Sequence, residues 1–169
     1  MSQHKVALLG VPVDHNSSFL PGASLAPARI REAFHCDSSN MWTELGVDLG
    51  NNENWVDAGD VSFADGDRLK TSQKIRTTTL ELIAEGKRVL SLGGDHSVSF
   101  PLIDAHAQSY DGLNILHVDA HGDLYDDFEG NPLSHASPFA RLMETGRISR
   151  LLQVGIRTLN DHQREQAAR

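Results

Sequence analysis

The chain of 169 residues holds a single cysteine, Cys36. That excludes an intramolecular disulfide, and with no secretion signal in MSQHKVALLG we expect a cytoplasmic protein. No motif surrounds Cys36, so it reads as a small buried hydrophobe. Long apolar runs are missing too, and nothing approaches the roughly 20 residues a membrane span needs. Positive charge is scarce: 15 Lys and Arg stand against 23 Asp and Glu, a formal net charge of −8. That balance argues against nucleic acid or an anionic membrane as partner and suits a pocket that attracts cations. Repeats, low-complexity tracts and interdomain linkers are absent as well. What remains is 39% hydrophobic and 22% charged, the composition of one ordinary globular domain.

Apolar runs at 6–9, 55–58, 88–92, 113–118 and 151–156 read as strands. Helical patterns lie between them. Ser24 and Pro27 open the first, with a stripe of Ile30, Ala33 and Phe34. Asp67 caps the second, which ends near Gly86. A third covers about 98–107, a fourth runs from Ser137 and Pro138 to Gly146, and Asn160 caps the last. Strands alternating with helices indicate an α/β sandwich with a mostly parallel sheet, whose sites form at the carboxyl ends of the strands.

The stretch LNILHVDAHGD (113–123) concentrates the chemistry. A hydrophobic run reads as a buried strand and ends in Asp119, His121 and Asp123 at period two. If the extended backbone continues, all three project to one side. His96, in Gly93-Gly94-Asp95-His96-Ser97, follows the preceding strand and supplies a fourth group. Mixed nitrogen and oxygen donors suit manganese, zinc, iron or nickel, and the lack of thiolate disfavours structural zinc. Two ions bridged by an Asp would make water a nucleophile near neutral pH. His117 lies inside the strand and reads as core or as a support for a ligand. Asp95 either orients a histidine or caps the following helix. His135, in a loop on the same side, is either a proton carrier or a surface residue. His4, His15, His35, His106 and His162 have no comparable setting.

These residues resemble the ureohydrolase superfamily of arginases, agmatinases, guanidinobutyrases and formimidoylglutamases. Gly93-Gly94-Asp95-His96-Ser97 is similar to its first metal motif and Asp119-Ala120-His121-Gly122-Asp123 to its second. Ser134-His135-Ala136-Ser137-Pro138-Phe139 resembles the agmatinase form of the substrate loop more than the arginase form. Gly10-Val11-Pro12, Pro21-Gly22-Ala23 and Val154-Gly155-Ile156-Arg157 match further family patterns.

The resemblance implies a three-layer αβα sandwich of the arginase type and a hydrolase using two Mn2+ ions. His96, Asp119, His121 and Asp123 would be metal ligands, and His135 and Asp123 catalytic residues. Asn131, Ser134 and His135 would contact a small cationic guanidino substrate. An agmatinase-like reaction, agmatine to putrescine and urea, is the expectation, in a homo-oligomer when the protein is complete. The family's third motif, near Asp-x-Asp-x-x-Asp-Pro, has no counterpart here. We therefore expect residues 1–169 to be the N-terminal portion of a single domain, incomplete at its C-terminal end, with impaired metal binding and turnover. A non-catalytic fragment or subunit with a partial metal site is the alternative.

Overall fold

The computed structural model describes residues 5–63 and 67–169. The elements alternate as β1 (Val6–Val11), α1 (Ala26–Phe34), β2 (Trp55–Asp60), α2 (Arg68–Ala84), β3 (Arg88–Gly93), α3 (Ser99–Ser109), β4 (Leu113–Val118), α4 (Pro138–Glu144), β5 (Ile148–Val154) and α5 (Asp161–Ala167). Every ladder between these strands is parallel. Parallel partners need a crossover, and the intervening helices supply it. The α/β architecture expected from the alternation is the one the chain adopts.

β1 is the middle of a three-stranded sheet ordered β2-β1-β3. Its residues alternate between faces. Ala7, Leu9 and Val11 bury against Ile75 and Leu82 of α2 and Leu102 of α3. On the other face, Val6 and Leu8 share an apolar groove with Ile30 and Phe34 of α1 and Trp55 of β2. Helices therefore flank this sheet on both sides, which makes three layers.

β4 and β5 form a second, two-stranded sheet, with no hydrogen-bonded ladder to the first among the described residues. One face packs on α3 and α4 around Ala107, Phe139, Leu142 and Ile148. The other is bare: Leu116, Val118, Leu152 and Val154 are all exposed. The expectation that β4 is a buried strand is thus met on one face and corrected on the other.

The helix caps at Asp67 and Asn160 form as expected. Asp67 accepts the Lys70 N–H at 2.8 Å and Asn160 the Gln163 N–H at 2.9 Å. Ser24, by contrast, does not cap α1; its hydroxyl donates to Asp14 at 2.8 Å, and a short 3-10 turn (Ala23–Leu25) leads into the helix. The stripe on α1 is half-covered, with Ile30 exposed. β5 starts three residues earlier than the apolar run suggested, because Gly146 at φ +66° ends α4 and turns the chain at once. Cys36 is exposed rather than buried.

Candidate metal centre

β3 runs into Gly93-Gly94-Asp95-His96, and the turn depends on a missing side chain. A Cβ on Gly94 would lie 1.8 Å from the Val13 carbonyl oxygen. The Gly94 and Asp95 N–H groups donate to the carbonyls of Val11 and Val13 at 3.1 and 2.7 Å, so β3 and the loop after β1 are stitched together here. Of the two readings of Asp95, capping is what forms. Its carboxylate accepts the Ser97 N–H at 2.9 Å and the Asn16 N–H at 3.0 Å, and among the described residues no histidine hydrogen-bonds to it.

β4 stops at Val118, so the extended backbone does not continue through Asp123. Period-two projection is therefore not what gathers the three residues. The chain turns instead: Asp119 accepts the His121 N–H at 2.9 Å on Oδ1, and Asp123 adopts a left-handed conformation at φ +50°. Aspartate tolerates that region better than most residues.

The turn brings His96, His117, Asp119 and Asp123 together, with one donor atom from each within 4.8 Å of the others. His96 Nδ1 lies 2.7 Å from Asp123 Oδ2 and 3.9 Å from Asp119 Oδ2. His121 stands outside this group, its side chain 60% exposed, with Nδ1 3.5 Å from the other oxygen of Asp119. Asp119 thus faces different histidines with its two oxygens. Three of the expected ligands meet in one cluster, and the fourth touches it across the shared carboxylate.

Charge in the cluster is finely opposed. Burial pulls the His96 pKa down, but the Asp123 hydrogen bond and the charges of Asp123 and Asp119 outweigh it and raise it. Burial and the neighbouring His96 charge lower that of His117. Burial pushes Asp119 up, yet the His121 N–H and the His96 charge leave it below the usual carboxylate range.

His117 is held by Gln153, near the C-terminal end of β5. The Gln153 Nε2 group donates to the Gly122 carbonyl at 2.6 Å and to His117 Nδ1 at 2.9 Å. A carbonyl can only accept, which fixes the amide orientation. Neutral His117 then carries its proton on Nε2, a buried atom with no hydrogen-bond partner, 3.5 Å from Asp119 Oδ2. In that tautomer Nε2 carries an N–H and does not offer a lone pair, so the ring stands beside Asp119 as a neighbour and not as a ligand. Phe139 packs on the same ring at 4.1 Å between centroids.

His135 borders a cleft of about 640 Å³ together with His121, Asp123, Tyr125, Arg157 and Arg164. That size suits a small molecule. Asn131 and Ser134 do not line it. Asn131 donates to Asn16 and accepts the Leu133 N–H at 3.0 Å; Ser134 is buried and accepts the Ala136 N–H at 3.2 Å. Both shape the loop. His15 and His35 are exposed, His106 bonds the Leu102 carbonyl within α3, and His162 stacks on Tyr125. His4 lies outside the described residues.

Sequence reasoning missed Gln153, Asn16 and the two arginines of the cleft. For Gln153 a signal existed, since an amide interrupting Leu151-Leu152-x-Val154 needs a buried partner. Asn16, in a Pro- and Gly-punctuated loop, carried none.

The donor set fits divalent metal: imidazoles and carboxylates converge, no thiolate competes, and a cation would sit where negative charge now crowds. Comparison with known proteins agrees. The model of the Arginase family matches residues 4–169. "Arginase 1, mitochondrial" of Arabidopsis thaliana is 49% identical over 96% of this chain and 50% of its own length. The N(1)-aminopropylagmatine ureohydrolase of Thermus thermophilus is 38% identical over 92% and 52%. Among solved structures, arginase from Medicago truncatula superposes with a TM-score of 0.90 at 45% identity, covering 98% of this chain and 54% of that one. The chain spans about half the length of the curated relatives it matches, and it belongs to the arginase family.

Proposed function

We propose that the protein carrying this chain hydrolyses the guanidino group of a small substrate to urea and an amine, using two divalent ions, manganese by preference. The observation that supports this reading best is the position of Asp119, which has one oxygen near His96 and the other near His121. His96, Asp119 and Asp123 would hold one ion; Asp119 and His121 would contribute to the second. Bound there, the ions supply Lewis acidity, which makes water nucleophilic near neutral pH.

The chain's own residues account for the rest. A guanidinium carbon resists attack because its charge is delocalised, so substrate and nucleophile must be held in register. The cleft beside the cluster provides that confinement. After water adds to the carbon, the bond to the substituted nitrogen breaks, and that nitrogen takes up a proton as it leaves. His135, on the cleft wall, is the group that would deliver it.

Two substrates deserve testing. Arg157 and Arg164 line the cleft and have no ion-pair partner among the described residues. Two uncompensated cations repel a doubly cationic amine such as agmatine and attract a carboxylate, which favours arginine. The loop Ser134-His135-Ala136 and the 38% identical Thermus relative are what favour agmatine. We propose arginine first. A homo-oligomer and a cytoplasmic location also stand as proposals; among the described residues no helix is long and apolar enough to cross a membrane. Urea release from arginine and from agmatine, with added Mn2+, tests the reading. We expect release that disappears in Asp119→Asn. No urea from either substrate in the complete protein would reject it.

A further inference from the structure

His135 is the group on which proton delivery depends, and the two edges of its ring are not equivalent. Nδ1 lies 2.9 Å from the backbone carbonyl oxygen of Asn16 and, farther off at 3.2 Å, from Ser134 Oγ, a hydroxyl that can accept as well. A carbonyl accepts and cannot donate, so Nδ1 carries the proton and Nε2 of the neutral ring keeps its lone pair. The neighbour of Nε2 is Ser18 Oγ, at 3.4 Å, an exposed hydroxyl.

The carbonyl that selects this tautomer belongs to a residue tethered in several directions at once. The Asn16 N–H donates to Asp95 Oδ2 at 3.0 Å, and its side-chain amide donates to Ser97 Oγ at 3.0 Å. Its Oδ1 accepts from Asn131 Nδ2 at 3.1 Å. The His135 backbone N–H also reaches the Asn16 carbonyl, at 3.4 Å. Asn16 itself is 8% exposed. Asp95 and Ser97 flank His96, and Asn131 opens the loop that ends in His135. One asparagine therefore joins the turn bearing a metal ligand to the loop bearing the proton carrier.

We infer that Asn16 is a positioning residue for His135: its carbonyl takes the Nδ1 proton, and its side chain locks that carbonyl in place, so that the Nε2 lone pair is available in the cleft. The inference deepens the reading of His135 as proton carrier and rests on it for its functional meaning. The tautomer itself is a property of the chain with no metal bound.

A two-dimensional nuclear magnetic resonance spectrum correlating ring protons with ring nitrogens distinguishes the two tautomers directly. Recorded on the chain at a pH where His135 is neutral, it is expected to show a protonated Nδ1 and an unprotonated Nε2. In Asn16→Ala those two nitrogen signals are expected to move toward each other as the tautomers mix, while the signals of His117 stay fixed. Asn131→Ala, which cuts one tether, should shift them part of the way and serves if Asn16→Ala fails to fold. A wild-type ring protonated on Nε2, or variants that leave the His135 signals in place, would overturn the proposal. In the complete protein Asn16→Ala should lower kcat with KM little changed, by tenfold or more within the ~10²–10⁴-fold that acid–base catalysis contributes. Absence of urea release despite a protonated Nδ1 would instead count against the ureohydrolase reading and leave the positioning intact.

Discussion

His96 Nδ1 and Asp123 Oδ2, 27 positions apart in the chain, meet at 2.7 Å across the ends of β3 and β4. In the chain this contact is a hydrogen bond between two candidate ligands. A divalent ion bound by both side chains would have to replace that hydrogen bond, so metal binding and the His96–Asp123 contact would compete. The same contact joins the ends of the two sheets, whose strands share no ladder among the described residues.

Asp123→Asn separates charge from shape. Asparagine also tolerates a left-handed backbone, so the turn at φ +50° should survive. Metal affinity should fall by at least tenfold while circular dichroism stays as in the parent. Calorimetric titration with Mn2+ reads the first, and a variant binding as well as the parent would remove Asp123 from the ligand set.

Gln153→Leu keeps volume in β5 but deletes the amide that holds His117. The His117 tautomer is then free, and the ring edge 3.5 Å from Asp119 is no longer held as an N–H. Supports of this kind contribute about 10- to 100-fold to metal affinity. An unchanged Mn2+ titration would show that His117 does nothing for Asp119.

Phe139 is 2% exposed and packs on the rings of both His117 and His96. Truncation to alanine should cost about 3–5 kcal/mol, the range for removing a large aromatic from a core. The denaturation midpoint in urea measures it. A loss under about 1 kcal/mol would mean that the core of the second sheet is loosely packed.

The strands and the caps at Asp67 and Asn160 were legible because their causes are local: an apolar run, or a carboxylate or amide reaching an N–H three residues on. The candidate cluster was partly legible for a related reason, since Asp119 and Asp123 stand close together in the sequence. The tethers of Asn16 were not. Asn16 meets Asp95, Ser97, Asn131 and His135 at separations of 79, 81, 115 and 119 positions, and no local pattern encodes such pairings. Period-two spacing singled out Asp119, His121 and Asp123 by the wrong geometry, because a turn and not an extended strand sets their positions, and His121 stays outside the cluster. The bare face of β4 and β5 also escaped notice, since Leu116 and Val118 read as apolar whether covered or exposed.

Asp14 offers a pH test of the loop that carries Asn16. The N–H of Gly22, then the hydroxyl and the N–H of Ser24, bind its carboxylate and hold its pKa below the ordinary aspartate value of about 3.9. A depressed carboxyl contributes stability above its unfolded pKa and loses it as pH falls through the folded one. The amide signals of Gly22 and Ser24 should therefore titrate together with a midpoint below about 3.9. In Asp14→Asn that transition should vanish. A midpoint above that value would contradict the three contacts.

Imidazoles and aspartates at the ends of β3 and β4 are expected to form a divalent-metal site. Calorimetric titration of the chain with Mn2+, alongside the double variant His96→Ala/Asp119→Asn, tests this expectation most directly. The parent should bind saturably, and the double variant should lose that binding. Absence of binding by the parent, or equal binding by the two proteins, would contradict it.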